Sequence, residues 1–595
     1  MLKVSYIITL LSGIGVFNSC TGNFINLQKY QNQDLYVEEI DSVYGKYLAG
    51  RVAHIRQDYD NAAKYYVETI NKGEESEDIL SRTYIILASK GKIDEAVKYA
   101  NKARQKGDKN NLIDVINAAQ AFKHKNYRLA RSQLEQIKER TYKDLVAPLF
   151  NAWSYVGEDN YEDAVKEMEK ISTTKEMETV YNLHRGLIAE YFNKNDEAEK
   201  YYNKMIKNNA TDVSFRALQI ITNFFIRIDK KQKAEKIIAK YYGGSNMKEM
   251  LSSLSDKIQK SNQKIPPLIR TADIGVSEVF LEIALLFKTI PSGYDYAQMY
   301  MALSQYFNED NDITKIALAD ICDERQMYSQ ANKYYDSISK KSEMYYPAQI
   351  RKAGNLVNEK KYDEAAKILK KLLKDNPKNY QILFNLGDVL RMSDNQPDAI
   401  KYYKEAIDSI FYESERHWPV YYALAVSYDR NNDWEKAEES LEKALKLSHR
   451  HPQVLNYLGY SWLKNETNVD KAIAFILEAY EKDPNDGVII DSLGWVYFKT
   501  GDYKNAILYL EKASELNPQN AIISDHLGDA YWFGGRKNEA VFLWKHALTQ
   551  KEEQEELNIK NVRYKIKNGL KEPNILTIDN PEVKESLHSL NDITE

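Results

Sequence analysis

The 595-residue sequence has two cysteines, Cys20 and Cys322, so no disulfide framework holds it together. Glycine (24) and proline (13) are scarce for this length. With so few breakers and abundant Tyr, Lys, Leu, Ala and Glu, the composition suits helices packed on helices. Charge of one sign is also missing. The 82 basic and 87 acidic residues leave a formal net charge of −5, which gives no footprint for a nucleic-acid backbone. There is no Gly-rich phosphate loop, no Cys-x-x-Cys, no His-Glu-x-x-His and no Gly-x-Ser-x-Gly. No catalytic residue, metal or cofactor is therefore expected, and the protein reads as a non-enzyme. The chain is too long for one hydrophobic core, so several domains or an extended array are expected.

What is present begins with the amino terminus. "MLKVSYIITLLSGIGVFNSC" has one Lys and an apolar run from Val4 to Phe17. That run is shorter than the roughly 20 residues needed to span a bilayer and reads as a secretion signal. Where it stops, Ser19-Cys20 resembles a bacterial lipoprotein signal, in which a small residue precedes the acylated Cys. Phe17 and Asn18 depart from the usual Leu-Ala/Ser spacing. The alternative is an ordinary signal peptide with an incidental Cys. The lipoprotein reading implies a lipid anchor at Cys20, and Thr21 after it implies the outer membrane, facing the periplasm.

The rest of the chain carries a ladder. From Tyr59-x-x-Ala62, alanines recur at Ala96, Ala130, Ala164 and Ala198, each 34 residues on. Ala234 follows, then Ala297, Ala331, Ala365 and Ala399 at 34 again. Ala437, Ala472, Ala506 and Ala540 complete the series at intervals of 38, 35, 34 and 34. A fixed period of this size marks a repeat array. "IIDSLGWVYFKTGDYKNAILYLEKASELNP" and "SDHLGDAYWFGGRKNEAVFLWKHAL" resemble the tetratricopeptide repeat, a 34-residue helix-turn-helix unit.

The resemblance implies an all-α fold, a right-handed α-solenoid of about fourteen repeats between residues 44 and 549. Gly459, Gly494 and Gly528, with Ala425 and Ala319 in equivalent places, sit where helix A crosses helix B, and the repeated Ala is the partner surface. Tyr403, Leu441, Leu510 and Trp544 are expected to fill the gap to the next repeat. Pro377, Pro484 and Pro518 are expected to stop helix B.

Between Ala234 and Ala297 the register breaks, and Gly243-Gly244 and Pro266-Pro267 read as a turn and linker. The expected organisation is a signal (1–19), a tether (20–43), an amino-terminal array (44–240), a joint (241–275) and a carboxy-terminal array (276–549). A capping helix (550–570) and a polar, loose tail (571–595) follow.

In tetratricopeptide arrays helix A lines a concave face, and partner contacts fall at fixed offsets around its small residue. Those offsets give Asp388 and Arg391, Tyr422 and Asp429, Asn456 and Tyr460 as groove residues. They also give Asp491, Trp495 and Phe498, then Asp525, Asp529 and Trp532. Members that clamp a carboxylate use Lys and Asn there. An acidic, aromatic groove is a better host for basic or apolar segments. Some of the aromatics could instead seal adjacent repeats. "HRHP" (449–452) reads as a solvated turn, Asp525-His526-Asp529 as a polar groove patch, and Cys322 as a small core residue.

The whole layout is similar to bacterial outer-membrane repeat lipoproteins that act as adaptors, some delivering substrates to periplasmic carboxy-terminal processing proteases. The similarity is greatest from "HWPVYYALAVSYDR" through "GDAYWFGGRKNEA". It implies a scaffold with protein partners. The alternatives are an outer-membrane or secretion-system assembly factor and, with no chain left for a catalytic domain, a repeat-bearing glycosyltransferase.

Overall fold

A computed structural model describes residues 42–590 except 57, 138–141, 172–176, 208–212, most of 243–264, 289–292, 411 and 551–556. Cys20 lies outside the described residues, as do Gly243 and Gly244. The described chain is helical with no strand, and none of its helices is long and apolar enough to cross a membrane. Helices follow one another as helix-turn-helix pairs, the architecture of a tetratricopeptide solenoid.

The ladder explains the pairing. All fourteen alanines from Ala62 to Ala540 lie on the second helix of a pair, and every one is 0% exposed. The facing position is as tight. A Cβ on Gly528 would sit 2.6 Å from the Trp544 ring and 3.3 Å from the Ala540 carbonyl, so only glycine fits. Gly494 meets Leu510, and Gly387 meets Tyr403, in the same way. These large residues therefore close the crossing within their own pair, and Trp544 also meets Lys565 of the following helix. The reason is geometric, since the hole left by the missing side chain lies directly opposite them.

Helix ends follow from local chemistry. The second helices stop at Asp375, Lys482 and Leu516, each just before Pro377, Pro484 or Pro518. Two residues past each proline, Asn379, Asp486 and Asn520 cap the next helix by accepting from its first backbone N–H groups. Within pairs, a left-handed residue such as Asp394, Asn432, Gly501 or Gly535 ends the first helix.

The chain divides into two units after Lys360, not at the 241–275 joint inferred from sequence. The cause is a pair that folds back. Helices Ala272–Lys288 and Tyr294–Phe307 pack on the first helices of earlier repeats, Ala147–Gly157 and Glu77–Ser89. Phe280 and Phe307 meet Phe150 and Phe122, and Gly275 lets the backbone reach the Trp153 ring, where a Cβ would collide. Polar ties surround this contact. Lys123 donates to the Tyr306 carbonyl at 2.8 Å, Lys125 pairs with Asp273, and Asp295 receives Arg325 at 2.9 Å and Tyr59 at 3.2 Å. Deepest is Arg216, whose Nη2 lies 2.6 Å from Glu278 in a pair 9% and 1% exposed. The amino-terminal unit thus fills its inner face with its own chain.

The carboxy-terminal unit runs from Lys361. Its first helices include Tyr380–Met392, Trp418–Arg430, Pro452–Lys464, Gly487–Lys499 and Ala521–Phe533. The four-residue surplus before Ala437 is taken up ahead of Trp418, where a short 3-10 turn, Glu415–His417, buries His417. After the last pair comes the helix Ile559–Asn568, packed on Lys537–Ala547.

The tail beyond it is not loose, as the sequence suggested, but forms a strap that returns across earlier repeats. Leu576 N–H donates to the Lys499 carbonyl at 2.8 Å, and Asn574 to Glu466 at 2.9 Å. The Asp579 N–H donates to Asp470 at 3.1 Å, and Tyr497 O–H to the Leu587 carbonyl at 2.8 Å. Val583 and Leu587 on the helix Pro581–Ser589 are buried in the same apolar cluster as Leu510 and Trp544. Polar composition misled because these few backbone bonds and two apolar anchors are enough to seat the strap.

Candidate functional site

The eleven groove residues and Asp429 all fall on first helices of the carboxy-terminal unit, and the structure sorts them into three groups. The first is satisfied internally. Asp388 accepts from Tyr403 O–H at 2.7 Å, and the Arg391 Nε donates to the same hydroxyl at 3.2 Å. Burial pushes the Asp388 carboxyl above its usual range, against the pull of Tyr403 and Arg391. Phe498 is also internal, 2% exposed and packed on Tyr503 and Phe533. It seals adjacent helices instead of facing a partner.

The second group forms a half-open aromatic face. Tyr422 contacts Trp418 and Tyr457 edge-on, and Tyr457 donates to Asp429 at 2.9 Å. Next along are Asn456, buried with no hydrogen-bond partner for its Oδ1, and Tyr460, tilted on His526. His526 is the hub of this face. Its Nδ1 lies 3.0 Å from both oxygens of Asp491, and its ring stacks on half-buried Trp495 at 4.0 Å and 17°. Trp495 also stacks on Phe498 at 4.6 Å. Burial favours neutral imidazole, but the Asp491 carboxylate more than offsets it and raises the His526 pKa. The helix patch Asp525-His526-Asp529 is thus split between two partners, and no cluster of ligating side chains suited to a metal occurs among the described residues.

The third group is covered. Asp525 and Asp529 receive Lys565 of the helix Ile559–Asn568, and Asp529 also accepts from Trp544 Nε1 at 2.9 Å. Burial and the neighbouring Asp525 push the Asp529 carboxyl up to about 6, with Lys565 holding it down. Trp532 lies under Gly569, beside Lys537 and Trp544. Lys565 escaped the sequence reading because its helix lies outside the repeat. The Val562, Lys565, Gly569 spacing, one helical face beside an acidic patch, was the available signal.

Two other sequence features settle as structure. His451 caps the helix Pro452–Lys464 and stacks on Trp418 at 4.7 Å, while His449 pairs with Glu415. Cys322 is buried, and that burial pushes its thiol up to about 12, which removes thiolate chemistry.

The family profile for the tetratricopeptide repeat matches residues 352–410 and 422–487, and a TPR repeat profile matches 494–533. The chain carries tetratricopeptide repeats, and the same helix pairing over buried alanine extends back to Val43. Repeats of this class are typical of protein–protein interaction scaffolds, and the repeat fold is generally non-catalytic. A TPR repeat-containing protein of Pseudomonas aeruginosa is 26% identical over 162 residues, 27% of this chain and 27% of that protein. Anaphase-promoting complex subunit 3 of Schizosaccharomyces pombe is 34% identical over 79 residues, 13% of this chain and 12% of that one. The chain therefore spans well under two thirds of these relatives. Among solved structures, the Cut9–Hcn1 hetero-tetramer covers 89% of this chain and 97% of its own at 13% identity, with a TM-score of 0.37.

Proposed function

We propose that the protein is a non-enzymatic adaptor of the bacterial cell envelope that binds partner proteins on the inner helices of its carboxy-terminal unit. The anchor is a lipid on Cys20, at the outer membrane and facing the periplasm. The short apolar leader ending in Ser19-Cys20 supports this placement. Delivery of substrates to a periplasmic carboxy-terminal processing protease is the adaptor role supported by the similarity of the stretch from His417 to Ala540.

The observation that carries the binding reading is the half-open face of Tyr422, Asn456, Tyr460 and Trp495. It combines half-buried ring surface with a buried amide oxygen that has no donor. A partner segment presenting a cation beside apolar side chains fits this aromatic face. The inner face of the amino-terminal unit is filled by its own helices, which favours the carboxy-terminal face.

The test is photocrosslinking in the producing cells from a probe at Tyr460, with and without Trp495→Ala. Loss of an interfacial Trp costs about 2 kcal/mol or more, roughly thirtyfold in affinity. The crosslinked partner should disappear in the variant while helicity is kept. A partner captured equally well by the Trp495→Ala protein refutes the face as its site.

A further inference from the structure

The acidic end of this inner face already holds a ligand. The Lys565 ammonium lies 2.7 and 2.8 Å from the two Asp529 oxygens and 2.9 and 3.0 Å from those of Asp525. Its side chain is only 4% exposed. One turn on, Gly569 sets its backbone against the Trp532 ring, where a Cβ would collide, and its φ of +77° suits glycine alone. Val562 is buried one turn before the lysine, and Ile566 and Leu570 pack on the same apolar cluster. A basic, apolar segment thus sits on an acidic, aromatic patch.

We propose that residues 557–570 are an intramolecular stand-in for a partner, and that a lysine-bearing partner segment exchanges with them at Asp525, Asp529 and Trp532. The proposal rests on the adaptor reading above and adds the regulation of that site. Two adjacent carboxylates, one of them buried, are strongly disfavoured without a counter-charge. Lys565 therefore leaves only as another cation arrives, and the site opens to basic segments and stays shut otherwise. The stretch between this segment and the buried anchors Val583 and Leu587 is held less firmly. Most of residues 571–580 are exposed, and their ties to Glu466 and Asp470 lie where water can replace them. Tethering gives the internal segment an effective concentration in the millimolar range, which sets the threshold a partner must exceed.

The test uses full-length protein and a labelled synthetic peptide of residues 557–570, followed by fluorescence anisotropy. The peptide should bind a Lys565→Gln protein at least tenfold more tightly than the wild type. Binding should vanish when the peptide itself carries Lys565→Gln. Gly569→Leu, which drives the strap off Trp532 but leaves both carboxylates, should behave like Lys565→Gln, with circular dichroism checking that each variant folds. Equal binding to wild type and both variants, or binding to none, overturns the exchange. Crosslinks from Tyr460 that ignore both variants also overturn it while leaving the adaptor reading intact. Peptide exchange without any Tyr460 partner supports the exchange and removes the adaptor reading.

Discussion

Glu278→Gln removes one charge from the most deeply buried ion pair of the amino-terminal unit and changes its volume little. Arg216 then keeps its cation at 9% exposure, with a neutral amide where three short contacts to a carboxylate had been. Breaking one side of a buried pair typically costs 3–5 kcal/mol, because the remaining charge is stranded. Glu282 and Glu343 also act on Arg216, so part of the field survives and the expected loss is at the low end, about 3 kcal/mol. At roughly 2 °C per kcal/mol for a unit of this size, the calorimetric transition should fall by about 6 °C. Hydrogen exchange should show residues 272–307 losing protection first, since Glu278 ties that pair to the array. The double variant Arg216→Met with Glu278→Leu should recover most of the loss, because an apolar pair of similar volume needs no counter-charge. A single variant that costs under about 1 kcal/mol, or a double variant as damaged as the single, refutes the view that this pair holds the fold-back in place.

Two further outcomes follow from other sites. The raised His526 pKa means that its pairing with Asp491 contributes fully below the unfolded value of about 6.5 and fades as pH rises through the folded value. Asp491→Asn should therefore lower the melting temperature more at pH 6 than at pH 9, and a pH-independent difference contradicts the pairing. If Cys20 is the anchor, Cys20→Ser should move the protein from membrane to soluble envelope fractions. Unchanged fractionation, with no fatty-acid labelling of the parent, refutes lipidation.

The repeats were legible because their constraint is local and severe. A helix crossing close enough to exclude a Cβ at Gly528 forces a small residue at Ala540, and that demand recurs every 34 residues. Prolines that stop the second helices were equally readable. The fold-back was not, since "ADIGVSEVFLEIALLFK" would look the same packed on the next repeat or on one about 120 residues earlier. At the candidate site, the offsets found the right helices but could not say which side chains the chain would use itself. Tyr403, adjacent repeats and Lys565 claim Asp388, Phe498 and Asp529, and each claim depends on a residue 15 or more positions away or on a neighbouring helix.

The fold-back also has a history in time. Phe122, Phe150 and Trp153 acquire their covers from Gly275, Phe280 and Phe307, so the earliest repeats are finished by residues made much later. At synthesis rates of about 5–20 residues per second, the gap amounts to on the order of ten seconds. During that interval the nascent chain presents the sides of these rings that residues 272–307 later cover. A polymer of repeats that could otherwise be completed one unit at a time instead has a waiting step, and a chaperone has a defined window in which to act.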